Sequence, residues 1–172
     1  KKNLPFYKFG DAIYLAKIET KYWIEYICKR FENTGKHISP ELAEEICRLV
    51  DNHSSYVQQL SWLLWIRTIN TATTEQLSYA LEDLLDQNNI LFQSETENLS
   101  AYQMNFLKAI VDGIHTKFSS KEVISKYNLG TSANIVRLKN ALLQKELIET
   151  NGKEIVLADP VFEVWFKKEM LY

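Results

Sequence analysis

The fold is decided by the stretch SSKEVISKYNLGTSANIVRLKNALLQKELIETNGKEIVLADPVFEVW, residues 119–165. Ser119 can cap a helix with its hydroxyl group, and Glu122, three residues later, completes a capping box. The helix is expected to end near Gly130, because glycine adopts a positive φ without steric cost. The stretch therefore begins with a short helix and a turn.

A second helix is predicted over residues 132–145, with Thr131 or Ser132 as its N-cap. Its apolar side chains follow the i, i+3, i+7 spacing of a buried stripe. They are Ile135, Leu138 and Leu142. The opposite face, which we expect to be exposed, carries Ala133, Arg137, Asn140 and Gln144.

A hairpin follows this helix. Residues 147–149 and 154–157 are short strand candidates on either side of Asn151-Gly152. That pair favours a type I′ turn, in which both central residues have positive φ. A helix-turn-helix followed by a two-stranded wing is typical of a winged helix.

The chain before residue 99 has the pattern of a helical bundle. Ser39 is a predicted N-cap with Pro40 at the first helical position, where its missing N–H costs nothing. Two further capping boxes are formed by Thr73 with Gln76 and by Ser100 with Gln103. Residues 56–69 are apolar nearly all round, so we expect the central helix of the bundle there. Its aromatic side chains, Tyr56, Trp62 and Trp65, are expected in the core rather than in a stacking platform.

We therefore predict a mainly α protein with two units. Residues 1–95 form an all-helical bundle, and residues 96–172 form a winged helix with a small β-hairpin wing. A helix over residues 77–97 is predicted to join them. No Gly/Ser-rich linker separates the two units, so they are expected to pack against each other.

Composition and charge limit the possible functions. Of the 172 residues, 46% are hydrophobic, which is enough for a core, and the scarcity of Gly and Pro favours helices. Residues 1–98 carry 10 basic and 14 acidic side chains (net −4), and residues 99–172 carry 10 and 8 (net +2). The second unit is less basic than a dedicated DNA-binding protein. Cys28 and Cys47 are predicted to be buried free thiols in a reducing cytoplasm, and no apolar run is long enough for a membrane span.

Several kinds of chemistry are not indicated. The five glycines are far apart and cannot build a phosphate-binding loop, and the three histidines lack ligand spacing for a metal. Glu44-Glu45 is interpreted as a solvated face rather than a pair of catalytic acids. No catalytic site and no metal site is expected. The chain starts Lys1-Lys2 without Met, and we expect it to be part of a longer polypeptide.

The predicted 132–145 helix is the candidate nucleic-acid-binding element. Its exposed side chains could enter a major groove, with Arg137 and Asn140 near base edges, and Lys153 on the wing could contact a phosphate. Ser132 and Gln144 complete this set. The alternative interpretation is that these are ordinary surface residues of a winged helix that packs on protein.

Five stretches are distributed along essentially the whole chain: PFYKFGD (5–11), SSYVQQL (54–60), LSAYQMNFLKAI (99–110), YNLGTSANIVRLKNALLQKELI (127–148) and LADPVFEVWF (157–166). This order resembles the C-terminal half of the archaeal-type ATPases, which are P-loop proteins of the broad AAA+/STAND group. The Leu-Gly-Thr-Ser entry to the second helix and the Asp-Pro-Val-Phe-x-x-Trp ending are its most specific parts.

The resemblance implies a nucleotide-binding P-loop domain before Lys1, where ATP and Mg²⁺ would bind. Residues 1–95 would be the lid over ATP, and the winged helix would bind double-stranded DNA or keep the ATPase at rest. ATP would favour one pose of the lid, and the attached winged helix would move with it.

The lid turn would place Ser54, Ser55 and Tyr56 near the nucleotide. Relatives carry Gly-x-Pro-Tyr there, whereas this sequence has His53 before these three residues. Arg48 and Arg67 are candidates for an arginine that senses the γ-phosphate, with surface charge as the alternative.

The predicted function is therefore the non-catalytic C-terminal part of an ATP-binding regulator. Two other functions stay open. One is a free-standing winged-helix transcription regulator whose helical unit dimerises or binds a ligand. The other is a protein-interaction module.

Overall fold

The structure, a computed structural model, describes residues 16–170. The stretch at residues 5–11 that contributes to the family resemblance lies outside the described residues. Over the described range the chain forms eight helices and one antiparallel hairpin. The elements are α1 (Thr20–Glu32), α2 (Pro40–Leu49), α3 (Ser54–Arg67), α4 (Thr74–Glu97), α5 (Ala101–Val111), α6 (Lys121–Lys126), α7 (Ser132–Gln144), β1 (Ile148–Asn151), β2 (Glu154–Leu157) and α8 (Pro160–Met170).

Capping chemistry sets where most of these helices begin. Ser39 accepts a hydrogen bond from the backbone N–H of Leu42, with Pro40 in the first turn, as predicted. Both predicted capping boxes are confirmed, and they start α4 and α5. The prediction for α6 was wrong by one residue, as described next.

The N-cap of α6 is Ser120, not Ser119. The Ser120 hydroxyl accepts from the backbone N–H of Val123 at 3.3 Å. Glu122 consequently occupies the second helical position rather than the third, where its side chain would complete a capping box. Either of the two adjacent serines could act as the N-cap, and the local sequence alone does not determine which one does.

In the helical part, α1 packs on α2, while α3 packs on α4 and α2. Helix α3 buries four aliphatic side chains, which are Val57, Leu60, Leu63 and Leu64. The prediction that its aromatic residues lie in the core was wrong for Trp62, whose side chain is 55% exposed. Tyr56 and Trp65 are half-buried. Helix α3 is covered on two sides, and its third side borders an open groove against α1.

The C-terminal elements have the order of a winged helix. Helix α7 packs on α5, and the hairpin packs on α5 through β2. The hairpin register pairs Ile148 with Leu157 and Asn151 with Glu154. The predicted type I′ turn was wrong, because the two loop residues are Gly152 and Lys153 and only Gly152 has a positive φ. Positive φ at the first loop residue alone is the pattern of a type II′ turn.

The two parts are joined by α4, which is 24 residues long. Helix α8 packs on α4 near its C-terminal end. Phe92 of α4 contacts Phe162 and Trp165 of α8, with ring centroids 5.3 and 5.6 Å apart. The Trp165 indole N–H also donates to Asn89 Oδ1 at 2.9 Å. The predicted packing of the two parts against each other is present as well, because the Tyr56 hydroxyl of α3 donates to Asp159 just before α8.

Candidate recognition surface

The first component of the candidate site is the outer face of α7. Its inner stripe is buried as predicted, through Ile135, Leu138 and Leu142. All the residues predicted on the outer face are exposed, and Ser132 is exposed with them. Arg137, Asn140 and Gln144 follow the i, i+3, i+7 spacing and share this face. They span about 10 Å along the helix, at 1.5 Å per residue.

The N-terminal end of α7 borders a shallow depression of about 320 Å³, lined in part by Tyr102, Gly130 and Arg137. Asn134 Nδ2 donates to the Leu129 carbonyl oxygen at 3.0 Å and fixes this corner. Gly130 has φ +84°, and an added Cβ atom there would lie 3.2 Å from Asn134 Nδ2. The positive φ therefore favours glycine at this position, and an added Cβ atom would also require a small shift of the Asn134 side chain.

The wing is the second component, and its charge is unfavourable for phosphate. Lys153 is exposed at the turn, where it could reach a partner. Glu149 and Glu154 are also exposed on the same two strands. Over residues 132–157 there are four basic and three acidic side chains, a net charge of +1. This surface lacks the concentrated positive charge that phosphate contacts require.

Within residues 16–170, no hydrogen bond or ion pair connects Lys153 to the exposed residues of α7. The α7 residues form one continuous face, and Lys153 lies on the separate hairpin turn. In residues 16–170, neither Arg137 nor Lys153 makes an ion pair. Both cations are therefore available to a partner.

The third component is the predicted lid turn, which begins α3. The Tyr56 hydroxyl donates to Asp159 Oδ2 at 2.6 Å, and this bond connects residues 103 positions apart. Burial, and then the hydrogen bond to Asp159, raise the pKa of Tyr56 well above its ordinary value. Ser55 Oγ accepts from the side chain of Gln59 at 2.8 Å. The turn is thus occupied by contacts within the chain.

Asp159 connects the two parts, a role that the sequence motif containing it did not predict. Its Oδ1 atom accepts from the backbone N–H groups of Val161 and Phe162, at 2.8 and 3.0 Å, and caps α8. Its other oxygen accepts from Tyr56. The Asp-Pro sequence could have predicted the cap, because Asp is a strong N-cap and Pro favours the first helical position. The bond to Tyr56 has no local signal.

A third ionisable group adjoins this contact. Burial, followed by the nearby charge of Asp159, raises the pKa of Glu95 near the end of α4. The junction between the two parts therefore contains Tyr56, Glu95 and Asp159 from three different helices or their caps. Ionisation of Glu95 is disfavoured there, so the junction is sensitive to charge.

The two arginine candidates for nucleotide sensing are both paired. Arg48 Nε donates to Glu45 Oε2 at 2.8 Å, three residues away on α2. Arg67 Nε donates to Asp83 Oδ2 at 2.9 Å, between α3 and α4. These contacts favour the alternative interpretation of surface ion pairs.

Between residues 16 and 170, no group of three His, Cys, Asp or Glu side chains is arranged to hold a metal ion. Within the same range, no helix combines the length and the apolar character that a bilayer crossing requires. Both cysteines are free thiols, as predicted, and Cys47 is buried as expected, whereas Cys28 is only half-buried. Burial raises the pKa of Cys47 to about 11, which leaves it unreactive as a thiolate.

Comparison with known proteins supports the architecture seen here. Residues 90–168 match a family model described as a probable winged helix domain. This segment is a winged helix. It includes the end of α4 together with the elements α5 to α7, the hairpin and nearly all of α8.

The chain as a whole is similar in structure to a Walker-type ATPase of Pyrococcus abyssi, with a TM-score of 0.67 and 18% sequence identity. The similarity covers 88% of this chain and 42% of that one, so this chain spans less than half the length of the solved ATPase. The likeness is one of fold, and it includes both the helical part and the winged helix. A comparison with curated protein sequences gave no match.

Proposed function

We propose that this chain is the non-catalytic regulatory part of an ATP-binding protein of the AAA+/STAND type, with residues 1–95 as a lid and residues 96–172 as an attached winged helix. The observation that carries the proposal is α4, one helix that packs on α3 in the helical part and on α8 in the winged helix, together with the Tyr56–Asp159 hydrogen bond between α3 and the cap of α8. The fold similarity to a Walker-type ATPase supports it, because the similar region extends over both parts.

The α4–α8 contact holds the winged helix firmly on the C-terminal end of α4. Phe92, Phe162 and Trp165 are each no more than 2% exposed. Burying an aromatic side chain of this kind contributes roughly 1.5–3 kcal/mol. Separating α8 from α4 would therefore cost several of these contributions together with the Trp165–Asn89 hydrogen bond. Movement of the helical part is expected to carry the winged helix with it.

The residues present do not fit a complete nucleotide site. Tyr56 is bonded to Asp159, and Arg48 and Arg67 are paired with carboxylates. The glycines of the sequence are too far apart for a phosphate-binding loop. We therefore propose that ATP and Mg²⁺ bind to an N-terminal P-loop domain of the complete polypeptide, a cytoplasmic ATPase.

Protein contact is the favoured role of the winged helix. The wing carries one lysine and two glutamates, a net charge of −1, so it repels a phosphate backbone more than it attracts it. The first partner proposed is the P-loop domain of the same polypeptide, which the winged helix would hold in a resting state. This arrangement needs no strongly basic surface.

Double-stranded DNA is the second candidate partner. The observation that favours it is the outer face of α7, where Arg137, Asn140 and Gln144 are all exposed and lie on one side. Arg and Asn are the side chains that read guanine and adenine in the major groove. A free-standing transcription regulator would use the same face.

The coupling is tested by hydrogen exchange on the complete polypeptide, with and without ATP and Mg²⁺. We expect exchange to change in both α3 and α7, and Tyr56→Phe to reduce the change in α7 while leaving that in α3. Tyr22→Phe on α1 is the matched control, because Tyr22 is exposed and its hydroxyl makes no hydrogen bond within residues 16–170. A complete polypeptide without a P-loop, or an ATP effect confined to the helical part, would refute the proposal.

The partner is tested by titrating duplex DNA at several salt concentrations. A reader of DNA loses affinity with a logarithmic slope of about −0.9 for each phosphate it neutralises. We expect weak binding with a shallow slope, equal for wild type, Arg137→Ala and the control Lys168→Ala. A steep slope that Arg137→Ala alone reduces would establish DNA as the partner.

A further inference from the structure

An open groove of about 440 Å³ lies between α1 and α3. Its volume is in the range of small-molecule sites, about 300–1,000 Å³. Tyr26 and Arg30 line it from α1, and Trp62 and Trp65 line it from α3. Nothing in the junction or on the α7 face involves this groove, which belongs to the helical part alone.

One wall of the groove is held rigidly. The Trp65 indole N–H donates to Thr34 Oγ1 at 2.9 Å, and Thr34 in turn donates to the Phe31 carbonyl oxygen at 2.8 Å. Lys36 Nζ lies 4.0 Å from the centre of the Trp65 ring and donates to the Trp65 carbonyl oxygen at 2.6 Å. A fixed aromatic wall is already in the geometry that a ligand needs, so binding orders little.

The other aromatic groups are free to receive a ligand. Trp62 is 55% exposed, and throughout residues 16–170 its indole N–H makes no hydrogen bond. Tyr26 is 43% exposed, and it packs edge-on against Trp23 at 5.8 Å. Exposing so much of the Trp62 and Tyr26 rings to water is energetically unfavourable, and a planar ligand would remove this apolar surface from water.

The polar groups of the groove select the charge of the ligand. Arg30 lies over the Tyr26 ring at 5.1 Å, and it pairs with no carboxylate in the part of the chain described. No acidic side chain lines the groove. A second depression on the far side of Tyr26 and Arg30 adds Lys29 and again no acid. This surface is positive within residues 1–98, whose net charge is −4.

A buried hydroxyl gives an independent indication of a ligand. Ser61 lines the groove, and its Oγ atom is buried without a hydrogen-bond partner in the described range. Buried polar atoms are nearly always hydrogen-bonded, and an exception calls for a partner. Gln58, also in the lining, uses its amide N–H on the Ser54 carbonyl oxygen, and its own carbonyl oxygen is left to accept.

We propose that this groove binds a small planar aromatic anion, a molecule with two fused rings and one carboxylate. The rings stack against Trp62 and Trp65, the carboxylate pairs with Arg30, and a polar ring atom meets the Ser61 hydroxyl. The regulatory unit thereby has a ligand site of its own, separate from the proposed role of the winged helix.

The first test uses three probes that share the indole ring: indole-3-acetate, indole and tryptamine. Each is titrated into the ¹⁵N-labelled 172-residue chain. We expect indole-3-acetate to bind with a Kd of about 1 mM or tighter. Its shifts should be largest at the indole N–H signals of Trp62 and Trp65, with weaker binding for indole and weakest for tryptamine. Equal binding of all three, or shifts located elsewhere, would overturn the proposal.

The second test uses variants. Trp62→Ala and Arg30→Gln should each weaken binding of indole-3-acetate about tenfold, and Arg30→Gln should also remove the preference over indole. Arg137→Gln on α7 is the matched control. Both groove residues are exposed enough for the variants to fold, which circular dichroism checks. Unchanged affinity in folded variants would refute the site.

If a variant fails to fold, the comparison of indole-3-acetate, indole and tryptamine on the wild-type chain is sufficient to test the proposal. A protein segment as the true occupant would show as no binding by any of the three probes, and that result also counts against the proposal.

Discussion

Replacing Tyr56 with Phe removes one hydroxyl group and tests the contact between α3 and the cap of α8. The hydroxyl donates to Asp159 Oδ2 at 2.6 Å. A hydrogen bond to a charged group contributes about 1.5–3 kcal/mol. Because Tyr56 is only half-buried, we expect the free energy of unfolding to fall by roughly 1–2 kcal/mol, after a discount for screening by solvent.

Asp159→Ala should cost more, because it removes two things at once. The side chain also caps α8 through Val161 and Phe162, which contributes about 0.5–2 kcal/mol. The loss should therefore be about 1.5–4 kcal/mol in total. The double variant should lose less than the sum of the two single variants, because both remove the same hydrogen bond.

The assay is urea unfolding of the four proteins in this cycle, followed by circular dichroism. With a slope of about 2 kcal/mol per molar urea, Tyr56→Phe should lower the midpoint by roughly 0.5–1 M. Tyr102→Phe is the control, since the Tyr102 hydroxyl has no partner within residues 16–170. A coupling energy below about 0.3 kcal/mol would show that the contact contributes nothing and refute the reasoning.

Three other predictions follow from the junction and the caps. Burial, and then the charge of Asp159, raise the pKa of Glu95 in the folded protein above its ordinary value of 4.5. The contribution of Glu95 to the free energy of unfolding is therefore complete below pH 4.5, and it is lost as the pH rises through the pKa of the folded state. Glu95→Gln should therefore raise the urea midpoint at pH 7 and not at pH 4, and an equal effect at both would contradict the assignment. Gly130→Ala should cost about 1–2 kcal/mol in thermal unfolding, because φ is +84° and Asn134 is close; a neutral result would show that this corner relaxes freely. Ser100→Ala should cost about 1 kcal/mol by loss of the α5 cap, and Ser100→Thr should retain most of the stability.

Local chemistry allowed most of the helices to be predicted. Side chains at Ser39, Thr73 and Ser100 satisfy backbone N–H groups within three residues, so a short window of sequence contains the whole interaction. The order of helices and hairpin in the winged helix followed from the same kind of signal. The exposed face of α7 was also predictable, because its apolar stripe is regular.

The remaining features depend on which elements meet. An all-round apolar helix such as α3 does not reveal which side stays uncovered, so the exposure of Trp62 could not be predicted. The Tyr56–Asp159 bond joins residues 103 positions apart, beyond any local pattern. The hairpin turn moved by one residue because Asn151 pairs with Glu154 in the ladder and leaves Gly152 and Lys153 as the loop.

The length of α4 has a mechanical consequence. Its 24 residues extend about 36 Å, and its two ends lie in different parts of the molecule. The helix can therefore act as a lever. A tilt of about 10° at Thr74 would displace Glu97, at the other end, by roughly 6 Å, which is more than the rise of one helical turn. A displacement of that size can open or close an entire docking interface, although the rearrangement at the pivot remains small.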